Sequence, residues 1–323
     1  MNERSSEHLL DIARRYYVQD ETMEAIANQL GVSRSTVSRL LKDARDRGIV
    51  RISIADPDRP TNRLAAFLAK QFGLQTHIVH VRPGASSIFR LEQVARTAAG
   101  LLCDEVRDGD TVGVAWGTTV SSVASHLRRR DLTGVTITGL NGGANHQTTG
   151  LPYVGSILHR FAEAFRGQEQ LLALPAFFDD PATKEAMWRE RSTQHILGVR
   201  SNCRVAIFGV GGLASDLQSH VYASNYLSQE DLRELKEERV VGDVCTVMLR
   251  DDGTYRDLAI NRRATGMAPH ELRVIPRRFC VVSGQSKATA VVGALRAGVA
   301  TDLIIDEDSA RDVVSILSRR PLP

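Results

Sequence analysis

The stretch "LGVSRSTVSRLLKDAR", from Leu30 to Arg45, separates apolar residues from cationic and hydroxyl-bearing residues. Its apolar residues Val37, Leu40, Leu41 and Ala44 recur at the i, i+3, i+4 and i+7 spacing of an amphipathic helix. The polar side of that helix is either an ordinary solvated face or a surface for a negatively charged partner. The neighbouring sequence decides between the two interpretations.

Two further helical patterns precede this stretch. The first runs from Glu7 to Val18, and the second runs from Met23 to Leu30 with Thr22 as a candidate N-cap. The third helix should begin after Ser33, another candidate N-cap, and end at Gly48. The sequence thus predicts three short helices in the first 48 residues.

The second and third helices have the spacing of a helix-turn-helix. Ala27 offers the small side chain needed where two helices cross, Gly31 supplies the turn, and Val37 buries the following helix. The segment "IVRISI" (residues 49–54) then alternates apolar and polar residues, which predicts a short strand or wing. A small all-α helix-turn-helix unit, with a wing, is therefore expected at the N-terminus.

Charge is distributed unevenly along this unit. Residues 1–29 carry three basic and six acidic side chains, whereas residues 30–54 carry six basic and two acidic ones. A local cationic excess is what the phosphate backbone of double-stranded DNA requires. We therefore predict that the outward face of the third helix binds DNA, through Ser33, Arg34, Ser35, Thr36, Ser38, Arg39 and Lys42.

The pattern of predicted secondary structure changes after "ADPDRPTN" (residues 55–62). We predict a DNA-binding domain over residues 1–55, a linker over 56–62 and a second domain over 63–323. Short apolar strand candidates then alternate with helical patterns of ten or more residues, which favours an α/β domain with a mainly parallel sheet. The strand candidates are "HIVHV", "TVGVAW", "VTITGL", "QLLAL", "RVAIFGV", "VCTVML", "FCVVSG" and "DLIID".

Two of these strand ends have features of an anion site. After "TVGVAW", Gly117 is followed by Thr118 and Thr119 at the start of a helix, where free N–H groups and hydroxyls can bind a phosphate. After "FCVVSG", Lys287 lies in a first helical turn, where it opposes the helix dipole unless an anion is present. A capped tight turn and a solvated lysine are the respective alternatives, and both stay open at this point.

Two weaker signals occur at other strand ends. Asn141, Gly142 and Gly143 follow "VTITGL", and Asp243 precedes "VCTVML", where its carboxylate could accept hydrogen bonds from sugar hydroxyls. A turn or capping role is the alternative for each. The histidines lack metal-ligand spacing, and neither HExxH nor GxSxG occurs, so we expect no metal, no cofactor and no catalytic residues.

The remaining composition places the protein in a reducing compartment. Its four cysteines are scattered without a CxxC pair, which favours buried, reduced thiols over disulfides. The polar start "MNERSSEH" is unlike a secretory signal, and no run of about 18 apolar residues could span a membrane. We therefore expect a cytoplasmic protein without a membrane partner.

With these residues in view, the whole chain resembles the SorC family (SorC/DeoR-type) of sugar-binding bacterial transcriptional regulators. The strongest matches, in order along the chain, are "TMEAIANQLGVSRSTVSRLLKDARDRGIVRISI", "GDTVGVAWGTTV", "LPAFFDDP", "YLSQEDLRELKEERVVGDVC", "INRRATGM" and "VVSGQSKATAVVGALRAGVATDLIIDEDSARDVV". The chain departs from the usual family pattern at Ser283–Gly284, where Gly-Gly is common, and at Arg262, where an acid is common.

The resemblance implies a winged helix-turn-helix followed by an effector domain similar to sugar-phosphate isomerases. It implies a homodimer or homotetramer that binds a palindromic operator, usually as a repressor of carbohydrate catabolism, and responds to a phosphorylated sugar. By position, Gly117, Thr118 and Thr119 resemble phosphate-loop residues, Gly142 and Gly143 an adjoining glycine turn, Asp243 and Lys287 contacts to hydroxyls and phosphate, and Asn261 a residue near the pocket. An isomerase or deaminase with a DNA-binding appendage is the alternative function.

Overall fold

The computed structural model describes residues 3–50, 60–145, 150–213, 219–223 and 226–319, and the chain divides into two units, Met1–Pro57 and Asp58–Pro323. The first unit contains α1 (Glu3–Tyr17), α2 (Met23–Leu30) and α3 (Arg34–Asp46). Both expected N-caps are confirmed. Thr22 Oγ1 accepts a hydrogen bond from Ala25 N at 3.1 Å, and Ser33 Oγ accepts one from Thr36 N at 3.2 Å.

The three helices pack around one small core. Ile12, Ile26, Ala27, Val37 and Leu41 are all buried in it. The turn between α2 and α3 begins at Gly31, whose φ of 64° is a conformation that glycine adopts without strain. The predicted helix-turn-helix is therefore confirmed, whereas residues 51–54 of the predicted wing lie outside the described residues.

The second unit begins with α4, which starts at Pro60. Residues 60–62 are therefore helical, although the sequence analysis places them in the linker; the rest of that segment, up to residue 59, lies outside the described residues. The strands of this unit are β1 (Gln75–Val79), β2 (Thr111–Val114), β3 (Thr136–Gly139), β4 (Gln168–Gln170), β5 (Val205–Gly209), β6 (Gly211–Gly212), β7 (Val240–Val244), β8 (Val247–Arg250), β9 (Arg277–Val282) and β10 (Asp302–Asp306).

Helices connect most of these strands, and two short 3-10 helices span Ala259–Arg262 and Gln285–Lys287. The α-helices are α4 (Pro60–Phe72), α5 (Ser87–Glu105), α6 (Thr118–Ser125), α7 (Leu151–Phe165), α8 (Pro181–Arg189), α9 (Arg191–Ser201), α10 (His220–Ala223), α11 (Gln229–Glu237), α12 (Pro269–Leu272), α13 (Ala288–Arg296) and α14 (Glu307–Arg319).

Seven of the strands form one sheet in the order β1-β10-β9-β5-β2-β3-β4, and every neighbouring pair is parallel. The chain proceeds from β2 outward to β3 and β4, but from β5 it returns in the other direction to β9 and β10. Neighbouring strands whose connections leave in opposite directions form a topological switch point, the position at which open α/β sheets bind ligands. The switch point of this sheet lies between β2 and β5.

Both faces of the sheet are buried. In β5, Val205 and Ile207 point into one apolar core, and Ala206 and Phe208 point into the other. Helices α5, α6 and α7 contribute to the first core, and α4, α13 and α14 contribute to the second. The continuous apolar runs in the sequence are explained by this two-sided burial, and the predicted α/β domain with a mainly parallel sheet is confirmed.

Two strand predictions are wrong in detail. In "QLLAL" (residues 170–174) only Gln170 is in a strand, because β4 is a three-residue edge strand, while Leu172 and Leu174 pack against Phe178 in a separate apolar cluster. The segment "VCTVML" (residues 244–249) is not one strand but the turn of the antiparallel β7–β8 hairpin.

The turn of this hairpin is unusual in composition. Cys245 and Thr246 both have positive φ values, 50° and 66°, where a two-residue hairpin turn ordinarily has Asn-Gly or Asp-Gly. Gly266 packs directly against it, since a Cβ built on Gly266 would lie 1.6 Å from the Cys245 carbonyl oxygen. The backbone of Gly266 therefore helps to hold a strained turn in place.

We predict that Gly266→Ala destabilises the protein by about 1–3 kcal/mol, because the added methyl group overlaps a backbone atom that cannot move freely. Gly155→Ala is the control, since a Cβ on Gly155 in α7 meets no heavy atom within 4 Å. That control should stabilise the helix by about 0.5–1 kcal/mol. Urea unfolding of the full chain, followed by circular dichroism, measures both; an unchanged midpoint for Gly266→Ala would contradict the packing described here.

Candidate functional site

A cleft opens at the carboxyl ends of the central strands, at the switch point between β2 and β5; we call it the strand-end cleft. Its volume is about 610 Å³, including the part open to solvent. The residues that line it and that the sequence analysis singled out are Gly117, Thr118, Thr119, Asn141, Asp243 and Lys287.

One wall of the cleft is the loop from β2 into α6. Gly117 is the N-cap residue of α6, with φ 144° and ψ 167°, and no side chain caps the helix. The first N–H groups of a helix have no acceptor within the helix itself. The Thr119 side chain is buried and packs against Gly209 at the end of β5, where a Cβ would lie 3.5 Å from the Thr119 Cβ. The α6 N-terminus is thereby fixed beside β5 with unpaired donors.

Lys287 is the only lysine among the described residues that line this cleft. It ends the 3-10 helix Gln285–Lys287 and is only 8% exposed. Its ammonium group forms no ion pair or hydrogen bond with the described residues. Burial lowers the pKa of Lys287, and the nearby Asp243 carboxylate offsets part of that shift. An anion in the cleft would compensate the desolvated charge.

The turn that carries Lys287 is held by a hydrogen bond to a buried carboxylate. Asp306, at the end of β10, accepts a hydrogen bond from Gly284 N at 3.1 Å and one from the Ser309 hydroxyl at 2.7 Å. Its other oxygen accepts a hydrogen bond from Arg90 Nη1 at 2.6 Å. This network fixes Gly284, the residue directly before the 3-10 helix that ends at Lys287.

Asp243 lies within β7, and each of its carboxylate oxygens accepts one hydrogen bond from the protein. Its Oδ1 accepts a hydrogen bond from the Tyr222 hydroxyl at 2.9 Å, and its Oδ2 accepts one from Thr246 N at 3.0 Å. Burial raises the pKa of the Asp243 carboxyl, while those two hydrogen bonds and the charge of Lys287 act in the opposite direction. A carboxylate oxygen has more than one lone pair, so Asp243 can still accept a hydrogen bond from a ligand hydroxyl.

Asn141 is the clearest unsatisfied group in the cleft. It is 2% exposed, and its Oδ1 is buried and accepts no hydrogen bond from the described residues. A buried polar atom left without a partner costs free energy. Since Asn141 lines the cleft, a ligand with a hydroxyl group would satisfy this acceptor.

Three expected site residues do not line the cleft. The Gly142 and Gly143 carbonyls accept hydrogen bonds from Trp116 Nε1 and the Tyr226 hydroxyl, each at 2.8 Å, so they build the wall instead. A Cβ on Gly142 would lie 2.5 Å from the Leu174 carbonyl oxygen, which explains the glycine by packing alone. The structure therefore places Gly142 and Gly143 in the wall of the cleft, and their contact with an effector stays a prediction.

Asn261 does not line the cleft either, and its contact with an effector stays a prediction. Its Oδ1 accepts a hydrogen bond from Met248 N at 2.8 Å, and its Nδ2 donates to the carbonyls of Met248 (2.9 Å) and Tyr255 (2.7 Å). The amide therefore ties β8 to the following loop, and it lies at a different cavity. The Asn261 amide therefore makes its hydrogen bonds to the backbone of the protein.

The sequence analysis missed several lining or supporting residues. Trp116 lines the cleft and stacks on Tyr226, with ring centroids 5.1 Å apart. Tyr222, which orients Asp243, lies on α10 and has no recognisable motif around it. Only Trp116, directly before Gly117, has a position that a sequence could have indicated.

The outward face of α3 carries the residues that the sequence predicts to bind DNA. All of the residues predicted to bind DNA are exposed except Thr36, which is half-buried. The Ser33 hydroxyl contacts the hydroxyls of Ser35 and Thr36 at 2.8 and 2.9 Å, and Arg39 Nη2 donates to Thr36 Oγ1 at 3.4 Å. Hydroxyl and guanidinium groups thus lie together over the N-terminal half of the helix, where recognition helices contact base edges.

Both units of the chain match known protein families. Residues 59–315 match a family described as "Putative sugar-binding domain", and residues 3–59 match one described as "Crp-like helix-turn-helix domain". The deoxyribonucleoside regulator of Bacillus subtilis (strain 168) is 32% identical over 309 residues, which cover 95% of this chain and 97% of that protein. The sorbitol operon regulator of Klebsiella pneumoniae is 25% identical over 303 residues, which cover 94% and 96%.

Solved structures of similar proteins share the fold of this chain. A domain of a possible sugar-binding transcriptional regulator from Arthrobacter aurescens TC1 has 42% identity and a TM-score of 0.75, over 80% of this chain and 100% of that one. The chain belongs to the SorC family of sugar-binding transcriptional regulators. Full-length SorC from Klebsiella pneumoniae, at 24% identity and a TM-score of 0.71, shares the fold over 96% of this chain and 99% of its own.

Membership of the SorC family confirms the predicted function in outline. The chain is a transcriptional regulator with an N-terminal DNA-binding helix-turn-helix and a C-terminal sugar-binding domain. None of the helices in the described part of the chain is long and apolar enough to cross a bilayer. Nor do the described residues include a group of three or more histidine, cysteine, aspartate or glutamate side chains placed to hold a metal ion.

We predict that Arg39→Ala weakens binding to specific DNA by about 1–3 kcal/mol, because an arginine that contacts a guanine or a phosphate contributes an interaction of that size. Fluorescence anisotropy with a labelled promoter fragment at fixed salt measures the loss. Lys70→Ala, which removes an exposed positive charge from α4, is the control and should bind DNA like the wild type. Equal affinities for Arg39→Ala and wild type would exclude Arg39 from the DNA contact.

Proposed function

We propose that this SorC-family regulator binds a phosphorylated sugar in the strand-end cleft and that the bound sugar phosphate changes the affinity of its helix-turn-helix for an operator. The phosphate lies between the N-terminus of α6, with Thr118 and Thr119, and the ammonium group of Lys287. The sugar hydroxyls donate to Asn141 and Asp243. Among these interactions, the buried and unpaired charge of Lys287 is the single observation that carries the proposal.

The choice of an anionic over a neutral sugar follows from electrostatics. A buried ammonium group without a partner is unfavourable in the free protein, and helix N-termini favour negative charge. Both groups line one cleft at the switch point of the sheet. A phosphate satisfies them together, whereas a neutral sugar leaves the charge of Lys287 uncompensated.

The assembly we propose is a homodimer or homotetramer on a palindromic operator. Two helix-turn-helix units related by a two-fold axis read half-sites about one helical turn, or a multiple of it, apart. A sugar phosphate can alter DNA binding only if it binds two arrangements of the subunits with different affinities. We propose that the protein acts in the bacterial cytoplasm, where its DNA is, as a repressor of an operon for carbohydrate catabolism.

An enzyme with a DNA-binding appendage is the second candidate. Isomerisation of a sugar phosphate requires a base placed to move a proton. Asp243 is the only carboxylate among the described residues that line the cleft, and no histidine lines it to form an acid–base pair with Asp243. We therefore propose a regulator without turnover. Incubation of the purified protein with pentose and hexose phosphates should leave them unchanged, and conversion of any of them would favour the enzyme.

The role of Lys287 predicts how sugar-phosphate affinity changes with pH. Because burial lowers the pKa of Lys287, its ammonium form is lost at a lower pH than that of an ordinary lysine. Binding of an anion requires that form, so affinity should fall as pH rises through the lowered pKa. In Lys287→Arg the charge persists at every accessible pH, and this decrease should disappear.

The experiment is a calorimetric titration of a panel of sugar phosphates between pH 7 and alkaline pH. Lys287→Gln should bind about 10–150-fold more weakly at neutral pH, which corresponds to the ~1.5–3 kcal/mol of a charge-assisted hydrogen bond. Its affinity for DNA without sugar phosphate should equal that of the wild type. If Lys287→Gln binds a sugar phosphate as tightly as the wild type does, the phosphate does not lie at Lys287.

A further inference from the structure

A second cavity lies behind the strand-end cleft, on the other side of the β7–β8 turn; we call it the basic cavity. Cys245 and Thr246 of the turn line the strand-end cleft, whereas Val247 and Gly266 line the basic cavity. Its volume is about 1000 Å³, including the part open to solvent. No residue lines both cavities, so the basic cavity is a separate space that shares one wall with the strand-end cleft.

The side chains around the basic cavity are strongly unbalanced in charge. Its charged and titratable lining residues are Lys184, Arg200, Arg256, Arg262, His270 and Glu271. Four are cations at neutral pH, one is a histidine that becomes a cation when protonated, and only one is an acid. A concave surface of this composition raises the local concentration of anions.

Two of these cations are withdrawn from solvent. Arg200 is 3% exposed; its Nη1 donates to the carbonyls of Leu140 (3.2 Å) and Thr265 (3.1 Å), and its Nη2 lies 3.8 Å from Glu271 Oε1. That last distance is beyond a normal hydrogen bond, so the buried charge of Arg200 is only partly compensated. Burial also lowers the pKa of Arg200.

Lys184 is half-buried and lies over the Trp188 ring, with its Nζ 5.1 Å from the ring centroid. The ammonium group of Lys184 and the guanidinium group of Arg262 form no ion pair with the described residues. An ordinary solvated basic face would leave such groups extended into water. Here Lys184 and Arg200 have lost hydration without gaining a carboxylate each, and that cost is recovered when an anion enters.

The cations form two groups. Lys184 and Arg200 lie near Glu271, whereas Arg256 and His270 both contact the Tyr255 hydroxyl, at 3.5 and 3.2 Å. We propose that the basic cavity binds a second effector, a small polyanion with two or more phosphate or carboxylate groups. One anionic group of the ligand lies at Lys184 and Arg200, and another lies at Arg256. Arg262 also lines the cavity, and its exposed guanidinium group adds to the positive charge available to the ligand.

The shared wall suggests what such a ligand does. A polyanion that orders the basic cavity contacts the side of the β7–β8 hairpin opposite to the sugar phosphate, and the turn is already strained at Cys245 and Thr246. Coupling between two ligands is reciprocal, since each changes the affinity of the other by the same factor. The two sites nevertheless have separate lining residues, since Lys287 lines only the strand-end cleft.

Inorganic pyrophosphate is the probe, because it carries two linked phosphates without a sugar. Calorimetric titrations use the full chain at fixed ionic strength in the Lys287→Gln background, which weakens anion binding in the strand-end cleft. We expect pyrophosphate to bind to this variant. Adding Lys184→Gln and Arg262→Gln should weaken that binding at least about tenfold. Adding Arg189→Gln, which removes an exposed cation from the same helix as Lys184, should change it less than about twofold.

Three outcomes would overturn the proposal. Pyrophosphate at millimolar concentration does not bind to Lys287→Gln; or the variant with Lys184→Gln and Arg262→Gln binds it equally well; or these two substitutions dissociate the subunits without any change in pyrophosphate affinity, which would make the basic cavity a contact between copies of the chain. The sugar-phosphate titrations on the wild type test Lys287 separately, so failure of one proposal is distinguishable from failure of the other.

Discussion

The desolvated ammonium group of Lys287 is the interaction on which the sugar-binding domain depends. A parallel sheet collects the ends of strands that are far apart in sequence, and at its switch point it leaves a cleft that is dry enough to make a single charge costly. Lys287 enters this cleft from the end of β9, Asp243 from β7, and the unpaired N–H groups of α6 from the end of β2. The buried network around Asp306 holds the turn in place, so the lysine cannot escape to solvent at low cost. These are the groups that we propose bind the sugar phosphate.

Local sequence signals predicted the parts of the molecule that local physics determines. The helix caps at Thr22 and Ser33 and the turn at Gly31 were all found, since each depends on residues within one turn of the chain. "DLIID" was found with its exact bounds because β10 is buried on both faces and its central residues Leu303, Ile304 and Ile305 are therefore apolar. The α/β class of the second domain followed from the same alternation of apolar runs and helical patterns.

The failures all involve contacts between distant segments. Nothing near Cys245 and Thr246 indicates a hairpin turn, because the turn packs against the distant Gly266 and contains no ordinary turn-forming residue. Gly142 and Asn261 have side chains or backbone atoms suited to a ligand, but Thr265 and the backbone of Met248 use them first. The switch point could not be placed from the sequence, since it depends on which distant strands pair, as Val112 of β2 does with Val205 of β5.

The four cysteines of the chain can be used to detect local unfolding of the sugar-binding domain. All four are unpaired and buried, and burial raises the pKa of each thiol, to about 12 for Cys203 and Cys280. Thiolates are the reactive form, so these side chains resist alkylation and oxidation while the domain stays folded. They lie on α5, before β5, in the β7–β8 turn and on β9, and so sample both faces of the sheet. The rate at which each is alkylated therefore reports which layer exchanges with solvent first.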